Sequence, residues 1–181
     1  MTAIFRPATE SDSADLAALH VTAWRESYAA ILPAFYLAAL SVAEREASWR
    51  AIIAAGDTGQ GHPGVVLAMD EADSLLGFAS SGPQRDEALA EAGFGGEIYA
   101  LYVLQHAQRM GIGRALMARM FTHLADTGHK SASLMVFEAN TPARLFYNHL
   151  GGVALQGTAK TFTLGGQTLS EIAIGWTSIA I

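Results

Sequence analysis

Apolar and aromatic residues in the first third of the chain recur every three or four positions, which is the spacing of an amphipathic helix. They are Leu16, Leu19, His20, Ala23, Trp24 and Tyr28 in one run, and Trp49, Ile52 and Ile53 in another. Each run follows a capping-box match, Thr9-x-x-Asp12 for the first and Ser41-x-x-Glu44 for the second. Between the two runs, Pro33 is well placed as the first residue of a short helix. The first third is therefore predicted to be mostly helical.

A different pattern, short apolar runs bounded by turn residues, predicts strands in the rest of the chain. These runs span residues 4–7, 65–69, 75–80, 97–104, 132–137, 153–164 and 169–176. Residues 70–74 and the pair Gly165-Gly166 are expected to form hairpin turns. The segments 56–64 and 82–96 are rich in glycine or polar residues and are expected to be loops.

The run at residues 97–104 is apolar on both faces, as a central strand covered on both sides requires. Strict alternation would place the following residues together on one of its faces: Glu97, Tyr99, Leu101 and Val103. A helix is predicted at about residues 112–126. A second is predicted from Asn140, whose side chain can cap it, with Pro142 at its first helical position. Mixed helices and strands indicate an α+β protein.

Length and composition restrict the class of protein. At 181 residues the chain is long enough for one well-buried core, so we expect a single domain over residues 1–181. A net charge of −6 argues against nucleic-acid binding, and no apolar run reaches the roughly 18 residues of a membrane span. The chain has no cysteine, and its six histidines lack metal-binding spacing. We therefore expect a soluble, cytoplasmic protein that binds no metal, nucleic acid or membrane.

The segment between the central strand and the next helix has the chemistry of a phosphate site. It reads Gln108, Arg109, Met110, Gly111, Ile112, Gly113 and Arg114. Unpaired N–H groups at a helix start are positively polarised, and the two glycines would let a phosphate approach without meeting a Cβ. The two arginines could neutralise phosphate charge, although Arg114 could equally lie on a solvated helix face. The segment is predicted to hold a pyrophosphate.

Other motifs for phosphate or nucleophile chemistry do not fit this chain. A dinucleotide-binding Gly-x-Gly-x-x-Gly would need glycine where the chain has Leu116. A Walker loop would need Gly-Lys-Ser/Thr and a nucleophile elbow Gly-x-Ser-x-Gly, and neither occurs. A dinucleotide-dependent oxidoreductase, a P-loop protein and an α/β-hydrolase are therefore set aside.

Gln108-x-x-Gly111-x-Gly113 resembles the acyl-CoA signature of the GCN5-related N-acetyltransferase (GNAT) superfamily. Residues 97–103 resemble its fourth strand, residues 140–151 resemble its segment B, and residues 23–41 are similar to a common bacterial subgroup. The resemblance implies the GNAT fold: a central, mostly antiparallel twisted sheet of about six or seven strands, flanked by helices and splayed between the fourth and fifth strands to bind coenzyme A.

This resemblance implies an acetyl-CoA-dependent N-acetyltransferase in which a primary amine attacks the thioester directly in a ternary complex. Residues 108–114 would hold the pyrophosphate, and backbone groups of Leu101, Tyr102 and Val103 would pair with the pantetheine amides. Asn140 would hydrogen-bond the pantetheine arm, and a plain helix-cap role is the alternative.

Acetyl transfer to an amine requires one group that accepts a proton and one that donates a proton. Glu97 is the expected base, acting through water, and an ordinary ion-paired carboxylate is the alternative. Tyr147 is the expected acid for the CoA sulfur, and an aromatic ring packed beside Phe146 is the alternative.

The acceptor pocket is expected to include Trp24, Tyr28, Tyr36 and Tyr99, although an aromatic stripe at helical spacing is more often part of the core. The acceptor would be a small-molecule amine or a peptide N-terminus, and the protein would be a monomer or homodimer. A non-catalytic acyl-CoA-binding sensor or interaction module on the same fold is the alternative from another class.

Overall fold

The computed structural model describes residues 3–56 and 64–179, and within them eight strands form one sheet with six α-helices. The strands are β1 (Ile4–Pro7), β2 (Gly64–Met69), β3 (Leu75–Pro83), β4 (Gly96–Val103), β5 (Ala132–Phe137), β6 (Val153–Ala154), β7 (Lys160–Leu164) and β8 (Gln167–Trp176). The helices are α1 (Ser13–Tyr28), α2 (Ala34–Ala38), α3 (Val42–Gly56), α4 (Glu87–Glu91), α5 (Ile112–Asp126) and α6 (Thr141–His149). Most of the predicted loop at 56–64 lies outside the described residues.

The sheet has the order β1-β2-β3-β4-β5-β8-β6, and β7 also pairs with β8. All of these pairs are antiparallel except β4 with β5. That parallel pair is held at two positions only, Gly96 opposite Ala132 and Glu97 opposite Ser133. The two strands then diverge, which confirms the predicted mostly antiparallel sheet with a splay between its fourth and fifth strands. The strand count reaches eight because the run predicted at 153–164 is divided into β6 and β7.

A bulge interrupts β4 near its middle. Ser80 of β3 lies opposite Ala100 of β4. The next residue of β3, Ser81, lies opposite Ile98, so Tyr99 is left without a partner. Strand β4 therefore has one more residue than β3 at this point, which is the pattern of a β-bulge.

The bulge changes which residues share a face of the sheet. Leu101 and Val103 pack with Ile98 in the core beneath α5, whereas Tyr102 packs in the core beneath α1. Glu97, one residue before Ile98, faces the α1 side. The prediction that Glu97 shares a face with Leu101 and Val103 is therefore wrong, because the unpaired residue shifts the alternation by one.

Helices cover both faces of the sheet. Helices α5 and α6 lie on one side, called here the α5 face, and α1 and α3 lie on the other, the α1 face. Fully buried side chains on the α5 face include Leu116, Met117, Met120 and Leu124, and those on the α1 face include Leu16, Leu67 and Phe78. Each such side chain stabilises the fold by about 1.5–3 kcal/mol. Among the described strands, the pairing of β4 with β5 ends after two positions, which leaves a gap between these two strands.

Local capping sets where several helices begin. Ser41 Oγ accepts a hydrogen bond from the Glu44 N–H at 3.2 Å, which confirms the predicted start of α3. Asp86 caps α4 by accepting from the Leu89 N–H at 3.2 Å, so the predicted loop at 82–96 contains a short helix. Among residues 3–56 and 64–179, the helices are too short or too polar to cross a bilayer.

Candidate active site

The glycine turn lies at the N-terminus of α5, a few residues after β4 ends. Gly111 immediately precedes the helix and has a φ of +83°, a backbone conformation that favours glycine. The first N–H groups of α5 have no acceptor within the helix and point out of its end. The exposed Arg109 and Arg114 flank this end. The predicted anion site therefore has both a polarised helix terminus and two cationic side chains.

Contacts from this turn reach both β4 and α6. Gln108 Nε2 donates a hydrogen bond to the Val103 carbonyl at 3.0 Å. A Cβ at Gly113 would lie 3.2 Å from the Phe146 ring, so glycine lets α5 and α6 approach closely. Asn140 caps α6 by accepting from the Ala143 N–H at 3.2 Å, which confirms its cap role. Its contact with a pantetheine arm stays a prediction.

The backbone of residues 101–103 borders the gap between β4 and β5. On one edge these residues pair with Gly77, Phe78 and Ala79 of β3. On the other edge the pairing with β5 has already ended. Since alternate N–H and C=O groups of a strand point to opposite edges, part of this backbone faces the gap. An extended ligand could pair with it as an added strand would.

Tyr147 lies on α6 with its ring buried between Phe146 and Trp176, at centroid distances of 5.2 and 6.1 Å. Its hydroxyl makes no hydrogen bond with the residues that the structure describes. Burial, reinforced by the nearby Tyr102 phenol, raises the pKa of Tyr147 far above its ordinary value. The phenol is therefore protonated at neutral pH and can donate a proton.

Glu97 lies at the start of β4, where Arg85 surrounds its carboxylate. The Arg85 guanidinium donates to Oε1 at 2.5 Å and to Oε2 at 3.1 Å, and the Arg85 backbone N–H donates to Oε2 at 3.0 Å. The Glu97 side chain is 11% exposed and that of Arg85 is 64% exposed. The ion-pair alternative is thus present in the structure, and the base role of Glu97 stays a prediction.

A cleft of about 560 Å³ opens beside this pair. It is lined by the β3–α4 connection, α4 and the first halves of β4 and β5, with Lys160 of β7 at its edge. Lys160 forms an ion pair with Asp86 across the cleft. Tyr99 lies beside the Arg85–Glu97 ion pair, because the Arg85 guanidinium stacks 3.9 Å from the centroid of the Tyr99 ring. The Tyr99 hydroxyl donates a hydrogen bond to the Pro83 carbonyl at 2.6 Å.

The predicted pocket aromatics separate into different places. Trp24 and Tyr28 pack edge to face at 5.2 Å, and the Tyr28 hydroxyl lies 2.9 Å from the Tyr102 hydroxyl. The buried Trp24 Nε1 lies close enough to Tyr102 to lower its phenol pKa, but without the geometry of a hydrogen bond. Tyr36 lies apart from them, against Gly165 of the β7–β8 turn. The structure thus brings Tyr28 and Tyr102 together, with Tyr147 within electrostatic reach of both, and leaves Tyr36 and Tyr99 elsewhere.

Sequence reasoning missed Glu171, a half-buried carboxylate of β8. It lies directly opposite Phe137 of β5 and Lys160 of β7, and Phe137 packs against Tyr28 at 5.1 Å. Burial raises the pKa of Glu171, and Lys160 opposes this effect. The only sequence signal was a single acidic residue inside an apolar strand run, at a position no motif marks.

Comparison with known proteins identifies the family of this chain. The Acetyltransferase (GNAT) family model matches residues 21–151. An uncharacterized N-acetyltransferase, YuaI, of Bacillus subtilis (strain 168) is 35% identical over 175 residues, which cover 97% of this chain and 93% of that protein. The chain belongs to the GNAT acetyltransferase family.

Two further GNAT likenesses are partial or limited to the fold. A mycothiol acetyltransferase of Actinosynnema mirum is 39% identical over 88 residues, but the match spans 49% of this chain and 27% of that protein. The structure of PaiA N-acetyltransferase from Thermoplasma acidophilum, in complex with coenzyme A, has a TM-score of 0.74 at 18% identity, covering 94% of this chain and 98% of that chain. The second likeness confirms the predicted GNAT fold.

The GNAT family match includes the glycine turn and α6, but it ends before Glu171. The glycine turn and Tyr147 thus lie within the part of the chain that the family model covers. Glu171 comes to the same region only through the pairing of β8 with β5.

Proposed function

We propose that this GNAT protein transfers the acetyl group of acetyl-CoA to a primary amine, which attacks directly in a ternary complex. One observation carries the proposal: the N-terminus of α5, the unpaired edge of β4 and the Tyr147 helix all border the same gap in the sheet. Each of these features supplies one requirement of the reaction, namely an anion site, a guide for an extended ligand and a proton donor.

The described residues suit coenzyme A in shape and charge. Nothing lies within 4 Å of where a Cβ would stand on Gly111, so the approach to the helix end is open. Residues 108–114 would hold the diphosphate through backbone N–H groups and the two flanking arginines. Backbone groups of residues 101–103, together with Asn140, would hold the pantetheine arm. Bound acetyl-CoA supplies the acetyl group as an activated thioester.

Tyr147 is proposed to donate its proton to the departing sulfur. Its hydroxyl makes no hydrogen bond with the described residues, so the proton is available to a ligand in the gap. The raised pKa keeps the phenol protonated over the whole physiological range of pH. The backbone N–H groups beside the Tyr99 bulge are proposed to polarise the thioester carbonyl.

Replacement of Tyr147 by phenylalanine tests this function. Coenzyme A release would be followed with acetyl-CoA and a panel of primary amines, alongside calorimetric binding of acetyl-CoA. We expect Tyr147→Phe to lower kcat about 100-fold while acetyl-CoA affinity stays within about twofold. Equal turnover in wild type and variant would remove Tyr147 from the mechanism. Tight acetyl-CoA binding with no amine acetylated would instead support a sensor or interaction module.

The predicted base, Glu97, has a separate test. For Glu97 to accept a proton through water, Arg85 would have to release at least one carboxylate oxygen, since it donates to both. If Glu97 is the base, Glu97→Gln lowers kcat and removes the acidic limb of the pH–rate profile. An unchanged profile and turnover would leave Glu97 with the structural role that its contacts with Arg85 describe.

A further inference from the structure

Glu171 faces the same side of the sheet as the aromatic residues of α1. Its cross-strand neighbour Phe137 packs against Tyr28, and side chains directly opposite each other on antiparallel strands share a face. Leu169 and Ala173, two residues before and after Glu171, also pack on that face. The carboxylate is therefore on the α1 face, separated by β5 from the gap between β4 and β5.

The carboxylate of Glu171 has no hydrogen bond or ion pair within residues 3–56 and 64–179. The nearest cation along the sheet is Lys160, directly opposite on β7, but the Lys160 ammonium is paired with Asp86 across the cleft. A half-buried carboxylate without a partner is costly in the folded state. Such a group is suited to a cation that arrives with a ligand.

Electrostatic effects relate the phenols of Tyr28 and Tyr102 to Glu171 and to Tyr147. Glu171 lies close enough to raise the pKa of both phenols, and Tyr147 acts on Tyr28 in the same direction. The hydrogen-bonded pair of Tyr28 and Tyr102 is therefore within electrostatic reach of Tyr147 and of Glu171. The predicted acid and the carboxylate of Glu171 thus both act electrostatically on this pair of phenols.

Glu97 is less available to a ligand cation than Glu171, because the Arg85 guanidinium already donates to both of its carboxylate oxygens. Aromatic rings beside a carboxylate add cation–π attraction for an ammonium group. Tyr28 and Phe137 provide such rings on the face where Glu171 lies.

Resting on the function proposed above, we propose that Glu171, with the rings of Tyr28 and Phe137, binds the primary ammonium group of the acceptor and accepts its proton. An N–H bond of the ammonium breaks as an O–H bond forms on the Glu171 carboxylate. The freed lone pair of the amine forms the C–N bond to the acetyl carbon, and the C–S bond breaks. The nitrogen loses a second proton to water as the amide forms. Tyr147 gives its proton to the sulfur and regains one from water, and Glu171 releases its proton to water. The acceptor is therefore a cation, and its ammonium group enters from the α1 face.

Glu171→Gln, which keeps the size and removes the charge, tests this assignment. Glu91→Gln on α4 is the matched control, because Glu91 is exposed and does not line the cleft. Wild type and both variants would be assayed with saturating acetyl-CoA and a panel that includes phenethylamine, spermidine and a glycyl peptide, over a range of pH. Acetyl-CoA affinity and thermal stability would be measured for each protein.

We expect Glu171→Gln to lower kcat/KM for the amine about 100-fold or more, with acetyl-CoA affinity unchanged within about twofold. The groups around Glu171 are Lys160, Tyr28, Tyr102 and Phe137. In wild type, the acidic limb of the pH–rate profile should report deprotonation of Glu171. This limb should disappear in Glu171→Gln and persist in Glu91→Gln. Glu171→Asp should recover part of the activity.

Two outcomes separate this inference from the proposed function. If wild type acetylates an amine of the panel and Glu171→Gln behaves as Glu91→Gln does, the assignment of Glu171 is wrong and the acetyltransferase function stands. If wild type acetylates none of the amines, the proposed function fails, and the assignment of Glu171 fails with it.

Discussion

The hydroxyl oxygens of Tyr28 and Tyr102 lie 2.9 Å apart, so one hydrogen bond joins the end of α1 to β4 beside the gap in the sheet. Both phenols are largely shielded from water, and burial is the main reason that their pKa values are raised. Each hydroxyl would therefore lose a partner that water cannot fully replace if the other were removed.

This bond predicts energetic coupling between the two tyrosines. Each single variant, Tyr28→Phe and Tyr102→Phe, leaves one phenol without its partner, whereas the double variant leaves none. We expect a coupling free energy of about 1 kcal/mol in a double-mutant cycle measured by urea unfolding. Strictly additive losses would show that the two hydroxyls do not interact in solution.

The Arg85–Glu97 pair predicts unequal costs for removing either partner. Arg85→Gln leaves a carboxylate with 11% side-chain exposure unpaired, whereas Glu97→Gln leaves an arginine with 64% exposure that water can solvate. We expect a loss of about 2 kcal/mol in unfolding free energy for Arg85→Gln and under about 1 kcal/mol for Glu97→Gln. Chemical denaturation of both variants measures this difference. Similar losses would mean that the carboxylate is better solvated than its burial indicates.

The parts of the fold that depend on neighbouring residues could be predicted from the sequence. The start of α6 follows from the Asn140 cap, and the start of α5 follows from Gly111, because each signal acts within a few residues. The bulge at Tyr99 could not be predicted, since it exists only relative to Ser80 and Ser81 of β3. Which strands lie side by side is a property of the whole sheet.

The same distinction applies to the candidate site. The predicted phosphate site rests on a contiguous motif at residues 108–114, and Tyr147, the predicted acid, lies on α6. Glu97 was predicted with an ion pair as the alternative, but its partner Arg85 is twelve residues away in a segment expected to be a loop. Glu171 is brought to the site by a cross-strand register that the sequence does not specify.

At Arg109, the effect of backbone strain on stability can be measured separately from the effect of charge. Its φ of +62° lies in the left-handed region, where a side chain costs about 1 kcal/mol relative to glycine. Arg109→Ala and Arg109→Gly remove the same charge, but only the second relieves the backbone. We expect Arg109→Gly to be more stable than Arg109→Ala by about 1 kcal/mol, as urea unfolding would show.

Coenzyme A binding should follow the charge of residue 109. Both variants should weaken calorimetric binding of coenzyme A by a similar factor of about three to ten, more so at low salt, because both lose one cation beside the phosphates. Unchanged affinity in both would place Arg109 outside the phosphate site. A large difference in affinity between the two would point to backbone conformation instead of charge.

The buried His20 should make the unfolding free energy depend on pH, independently of catalysis. Its ring is buried on the α1 face, and its Nδ1 accepts a hydrogen bond from Trp49 Nε1 at 3.0 Å, so the neutral ring is the form that fits. Burial, helped by the nearby Arg45, lowers the pKa of His20 from 6.5 to about 3. Below pH 6.5 the unfolded chain takes up a proton that the folded chain refuses. The unfolding free energy should therefore fall with decreasing pH, by up to about 1.4 kcal/mol per unit.

The variant His20→Gln isolates this effect, because glutamine does not titrate and its side-chain oxygen can still accept from Trp49. Asp12, whose pKa is lowered by Arg6, also contributes to acid lability, but it does so equally in both proteins. Between pH 6.5 and 5, the advantage of wild type over His20→Gln in unfolding free energy should shrink by about 2 kcal/mol. Guanidinium unfolding at each pH measures this gap. A gap that stays constant over this range would mean that folded His20 accepts a proton as readily as the unfolded chain does.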